Sequence, residues 1–128
     1  MTMPAWYFET QFQLDAPFAD WPAEFVILSA YTTTGEHWPE AVILEADQRL
    51  ESELRERGGW FLRITGYSPH DGHAELGWAL QMPFAEACDL GLRYKQDAIY
   101  CVKGDELWVT YCDARRALVY VGEFRSRL

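Results

Sequence analysis

The chain is short of cysteine, histidine and basic side chains, and each shortage removes a class of protein. There are three cysteines, Cys88, Cys101 and Cys112, and no CxxC pair. An odd count without paired spacing excludes a disulfide framework and reads as reduced thiols buried as small core residues. No apolar run approaches the ~18 residues of a membrane span. The first thirteen residues have neither a basic start nor a continuous apolar stretch, so no signal peptide is expected. Together these absences predict a cytoplasmic protein that does not engage a membrane. Lys and Arg number 11 against 20 Asp and Glu, a net charge of −9 that repels nucleic acid at long range. The Lys/Arg-Gly-aromatic signature of RNA-binding sheets is missing as well. There is no Gly-x4-Gly-Lys phosphate loop, and no Gly-x-Ser-x-Gly turn surrounds Ser29, which reads as a core-facing serine. No cofactor motif is present, and no cofactor or metal is expected.

What the chain does hold is enough apolar material for one domain. Of its 128 residues 49% are hydrophobic, with six Trp, seven Tyr and seven Phe. A chain of this size buries about two-thirds of its unfolded surface without a cross-link. Acidic charge is concentrated early: residues 1–60 carry eleven acidic and three basic side chains, residues 61–128 nine and eight.

Periodicity divides the chain into elements. Trp6–Leu14 alternates, with Phe8, Thr10, Phe12 and Leu14 on one face, and predicts a half-buried strand. Phe25-Val-Ile-Leu28 is continuously apolar, as a central strand would be. Pro39 opens a helix that places Ile43, Ala46, Leu50 and Leu54 on one face, ends at Gly58-Gly59, and offers Glu45–Arg49, Glu51–Arg55 and Glu53–Arg57 as i, i+4 pairs. Trp60–Tyr67 and Glu75–Met82 read as strands about a polar turn, Ser68–His73. Pro83 opens a second helix with Phe84, Ala87, Cys88 and Leu92 inward, and Gly91 within it implies close packing. Ala98–Val102 and Leu107–Cys112 form a hairpin about Gly104-Asp105, and Ala117–Phe124 is a last strand.

This order predicts an α+β domain over residues 1–128: a ferredoxin-like βαββαβ core with one extra N-terminal strand, a C-terminal two-strand extension and a mainly antiparallel sheet. Right-handed crossovers then bring three connections to one end of the sheet: 32–38, 68–74 and 93–97. That end would collect Tyr31, His37, Tyr67, His70, His73, Glu75 and Gln96. Imidazole and carboxylate can hold a divalent metal or move a proton near neutral pH. Thr32-Thr-Thr-Gly35 before the helix could meet an anion, although threonines in a turn more often bond their own backbone. The helix face bearing Glu40, Glu45, Glu51 and Glu53 is the candidate interface for a basic protein partner. Trp6, Trp21 and Trp38, in or beside loops, would suit such an interface where exposed.

Ser29-Ala-Tyr31, Gly66-Tyr-Ser-Pro69, Glu75-x-Gly77, Ala87-x-x-Leu90 and Tyr94-Lys-Gln96-Asp-Ala-Ile99 occur in this order. In order and spacing the stretch from Ser29 to Cys112 resembles a family of small bacterial proteins, domain of unknown function 3293. Thr32-Thr33 stands where that family's pattern has Asn-Pro. The resemblance implies a bacterial cytosolic protein and carries no activity with it. Two functions therefore compete on the sequence. One is a non-enzymatic binding module of the inhibitor or immunity kind. The other is a small enzyme or metal-binding domain built on His37, His70, His73 and Glu75. The sequence does not fix the oligomeric state.

Overall fold

The computed structural model describes residues 3–30 and 37–128. Its described elements are α1 (Trp6–Glu9), β1 (Gln11–Leu14), β2 (Glu24–Ser29), α2 (Glu40–Arg57), β3 (Phe61–Tyr67), β4 (Ala74–Leu80), α3 (Phe84–Arg93), β5 (Ala98–Lys103), β6 (Glu106–Tyr111) and β7 (Val119–Glu123), with a 3-10 turn at Arg125–Arg127. The strands form one seven-stranded sheet in the order β1-β3-β4-β2-β5-β6-β7, and every neighbouring pair is antiparallel.

The expected ferredoxin-like core with appended strands is not the architecture. The sheet is a continuous antiparallel half-barrel, and its two edges curl toward one another. Phe12 on edge strand β1 meets Phe124, just past edge strand β7, at 5.7 Å between rings. Arg127, beyond β7, donates to the carbonyls of Phe8 and Thr10 beside β1, at 2.8 and 3.1 Å. Alternation along each strand therefore feeds two cores. On the convex face Val26, Leu28, Trp78, Leu80, Ile99 and Cys101 pack under Leu50 and Leu54 of α2 and Ala87, Cys88 and Leu90 of α3. On the concave face Phe12, Phe25, Ile27, Ile64, Ala79, Val102, Leu107 and Phe124 pack on one another. The sequence pattern identifies strands and helices but does not say that this second face is closed.

Most element positions follow the local chemistry. Pro39 precedes α2, and Gly58 ends it at φ 77°, its N–H returning to the carbonyls of Leu54 and Arg55. β2 is central and has four consecutive buried residues, Phe25 to Leu28. Gly104, at φ 64°, makes the β5–β6 hairpin turn. A Cβ on Gly91 would lie 2.7 Å from the Cys112 sulfur, so α3 does pack tightly there. Cys88, Cys101 and Cys112 are buried and unpaired, and burial pushes the Cys101 and Cys112 thiols up to about 12.

Several local expectations are corrected. Trp6–Glu9 is a helical turn rather than the start of a strand, since only Gln11–Leu14 finds a partner, in β3. Leu92 is exposed, and Leu90 takes its inward place. Of the three pairs expected along α2, Glu51–Arg55 forms, while Glu53 turns to Arg93 at 2.7 Å and Arg57 to Glu86 at 3.6 Å. Tertiary neighbours outbid the helix's own rungs because exposed pairs contribute only ~0.3–0.5 kcal/mol.

Candidate functional site

The concave face is filled unevenly. At one end Phe18, Trp21, Phe25, Trp60 and Phe124 interlock, with ring centroids 5.0 to 6.0 Å apart. At the other end four adjacent strands present small residues: Gly66 on β3, Gly77 on β4, Ser29 on β2 and Ala98 on β5. In register, Gly66 faces Glu75 and Gly77 faces both Ile64 and Ser29. A Cβ on Gly77 would lie 2.9 Å from the Leu28 carbonyl, so only glycine fits between these strands. The space left open is a cavity of about 440 Å³, walled on one side by Trp6, Tyr7 and Thr10 of α1 and its exit.

Polar groups enter this cavity from two connections. The Ser68–His73 turn, closed by a bond from the Ser68 N–H to the His73 carbonyl, brings Asp71 and His73. The Asp71 carboxylate accepts the His73 N–H at 2.9 Å, and that bond, with help from Ser68, lowers the Asp71 pKa. On β4 the Glu75 carboxyl sits 3.7 Å from the His73 imidazole. Burial raises the Glu75 pKa, against the opposing pull of His73. After α3, Lys95 adopts φ 60° and turns the chain, so that the Gln96 N–H returns to the Gly91 carbonyl and the Gln96 side chain points inward. Ser29 donates its hydroxyl proton to the Gln96 amide oxygen at 3.1 Å, and the Gln96 amide nitrogen donates to the Tyr94 carbonyl at 3.0 Å. From β5 the Tyr100 hydroxyl reaches the Tyr7 carbonyl at 2.7 Å and lies 3.0 Å from the Thr10 hydroxyl; burial pushes it up to about 12.

Of the residues singled out from sequence, Tyr67, His73, Glu75 and Gln96 line the cavity together. His70, on the same turn as His73, is exposed and pairs with Glu9 of α1 at 3.0 Å instead. His37 is exposed and does not line the cavity. Tyr31 lies outside the described residues, as does the Thr32–Gly35 stretch considered for an anion. Among the described residues no three His, Cys, Asp or Glu side chains converge on a metal position. The sequence pattern puts Ser29 in the core and assigns no cavity role to Gly66, Gly77, Ala98, Tyr100, Trp6 or Tyr7, all of which line it. Alternation held part of the signal, since Ser29 shares a face with Phe25 and Ile27, and Glu75 and Gly77 share one with Ala79.

The proposed protein interface on α2 is partly spent internally. Glu51 and Glu53 are held by Arg55 and Arg93, while Glu40 and Glu45 are exposed beside Val42 and Leu44. Trp21 belongs to the aromatic cluster, Trp38 has the Lys95 ammonium 5.8 Å from its ring, and Trp6 is exposed at the cavity.

With this geometry in view, the family match falls on the floor of the cavity. The chain belongs to the family described as Protein of unknown function (DUF3293). The DUF3293 match covers residues 28–99, more than half of the chain. It takes in Ser29, Gly66, Tyr67, Glu75, Gly77 and Gln96, whereas Trp6, Tyr7 and Tyr100 lie outside it. No curated protein and no solved structure matches the chain. Among the described residues no helix is long and apolar enough to cross a membrane.

Proposed function

We propose that this protein binds a small molecule in the open end of its curled sheet. The ligand has an apolar or aromatic body and a polar end. One observation carries the reading. Four of the five segments that resemble the family, at Ser29, Gly66–Ser68, Glu75–Gly77 and Gln96–Ala98, supply walls of a single cavity, while Ala87 and Leu90 pack in the convex core. Small residues on four neighbouring strands leave a space that the same sheet fills with aromatic rings at its other end. A partly desolvated carboxyl and a few convergent polar groups in such a space are the usual marks of a ligand site. The three buried thiols support a reducing, cytoplasmic setting.

Benzyl alcohol is a suitable neutral probe. In ligand-observed NMR it is expected to bind the wild-type protein at millimolar concentration, and in protein-observed NMR to shift the Trp6 indole N–H resonance. Ala98→Phe fills the space and should abolish both effects without lowering the melting temperature, and Ser29→Leu serves as a second filling variant. Equal binding by the wild type and a folded, filled variant would place the probe elsewhere and defeat the proposal.

A basic protein partner on α2 is the second reading, favoured by Glu40 and Glu45 beside the exposed Val42 and Leu44. It requires that a protein captured from bacterial lysate be lost on Glu40→Lys/Glu45→Lys.

A further inference from the structure

We infer that the cavity's occupant is a small organic cation, an amine whose ammonium group lies against Glu75 and whose body lies against the tyrosine rings. This deepens the small-molecule reading above and rests on it.

The first argument is charge. Among the described residues, the ionisable side chains lining the cavity, tyrosines aside, are Asp71, Glu75, Asp97 and His73, with no lysine or arginine. Two nearby cations are occupied elsewhere. Arg63 projects from β3 toward α2, where it grips Asp47 at 2.7 and 2.9 Å. Arg127 is held by the carbonyls of Phe8, Thr10 and Val121. On α1, Glu9 adds a further carboxylate, facing His70. An anionic ligand would meet like charge from three sides, whereas a cation would meet its complement.

The second argument is hydrogen-bond polarity. The Ser29 proton goes to the Gln96 amide oxygen. The Tyr100 proton goes to the Tyr7 carbonyl, and the Thr10 proton to the Trp6 carbonyl at 3.0 Å. These three hydroxyls therefore have no free proton to offer a ligand. With the carboxylates, they offer acceptors that a ligand bearing N–H donors would satisfy. An ammonium group supplies two or three N–H donors and accepts nothing. The third argument is aromatic: Tyr7 and Tyr100 line the same cavity, and such rings attract a cation.

Isothermal titration with three monosubstituted benzenes of similar size and different charge tests the inference: benzylamine, benzyl alcohol and benzoate. Benzylamine is expected to bind about tenfold tighter than benzyl alcohol, with benzoate weakest. Glu75→Gln should cost benzylamine about tenfold and leave benzyl alcohol unchanged. Equal affinity for amine and alcohol, or tightest binding of benzoate, overturns the inference while the cavity reading stands. Failure of all three probes, with the cavity empty in soaked crystals, overturns both.

Discussion

Glu75 shows how one residue acquires a property its sequence neighbours do not suggest. In His-Ala-Glu-Leu it resembles any polar residue opening a strand. In the fold it faces Gly66 across the strand pair and lines the cavity, where partial burial raises its pKa. The sign of the consequence follows by linkage. The folded state holds the proton more tightly than the unfolded chain, whose carboxyl titrates near its ordinary 4.5. Stability therefore falls as pH rises from that value through the raised folded one, and the penalty persists at neutral pH. Glu75→Gln should accordingly be the more stable protein at pH 7, with the difference vanishing below pH 4.5; urea melts across that range measure it. A difference that instead grew toward acid would mean that the carboxyl is stabilised in its charged form. His73 and Gln96 were legible as chemistry-bearing residues because their types announce it. Ser29 and Gly77 were not, because what they contribute is the room their small side chains leave.

The elements were more readable than the site. Pro39 and Gly58 bracket α2 as their local conformations require, and the apolar run from Phe25 to Leu28 marks a strand buried on both faces. One feature of α2 goes against its pattern: Asp47 is buried on the face that packs against the sheet. It accepts two bonds from the Arg63 guanidinium and one from the Trp78 indole, at 3.2 Å, while the guanidinium lies 3.7 Å over the Trp78 ring. A helix wheel cannot foresee this, since Arg63 and Trp78 come from β3 and β4. Asp47→Ala would leave the Arg63 charge buried and unpaired, at a cost of about 3–5 kcal/mol. The urea midpoint should drop at unchanged m-value, and Asp47→Ala/Arg63→Met should recover most of the loss. No recovery in the double variant would show that the cost lies in helix packing and not in the stranded charge.

Across the whole molecule, curvature is what separates this protein from the expected ferredoxin-like core with appended strands. Both edges of the sheet contribute to one concave core, and Arg127 bonds the chain after β7 to the carbonyls before β1. Replacing it with alanine removes charge-assisted bonds of about 1.5–3 kcal/mol in total effect. Hydrogen exchange should then quicken together in Trp6–Leu14 and Val119–Glu123, two segments at opposite ends of the chain. Faster exchange in only one of them would show that the edges are not coupled. By itself the sequence determined the apolar content, the acidic balance, the unpaired cysteines, the family resemblance and the run of strands and helices, because each is written in composition or in short-range pattern. Only the tertiary structure decided that the sheet closes on a second core, that Asp47 has a partner, and that small residues on four strands line up into a cavity. These depend on contacts between residues far apart in the chain, and local patterns carry no record of which distant strand will lie opposite.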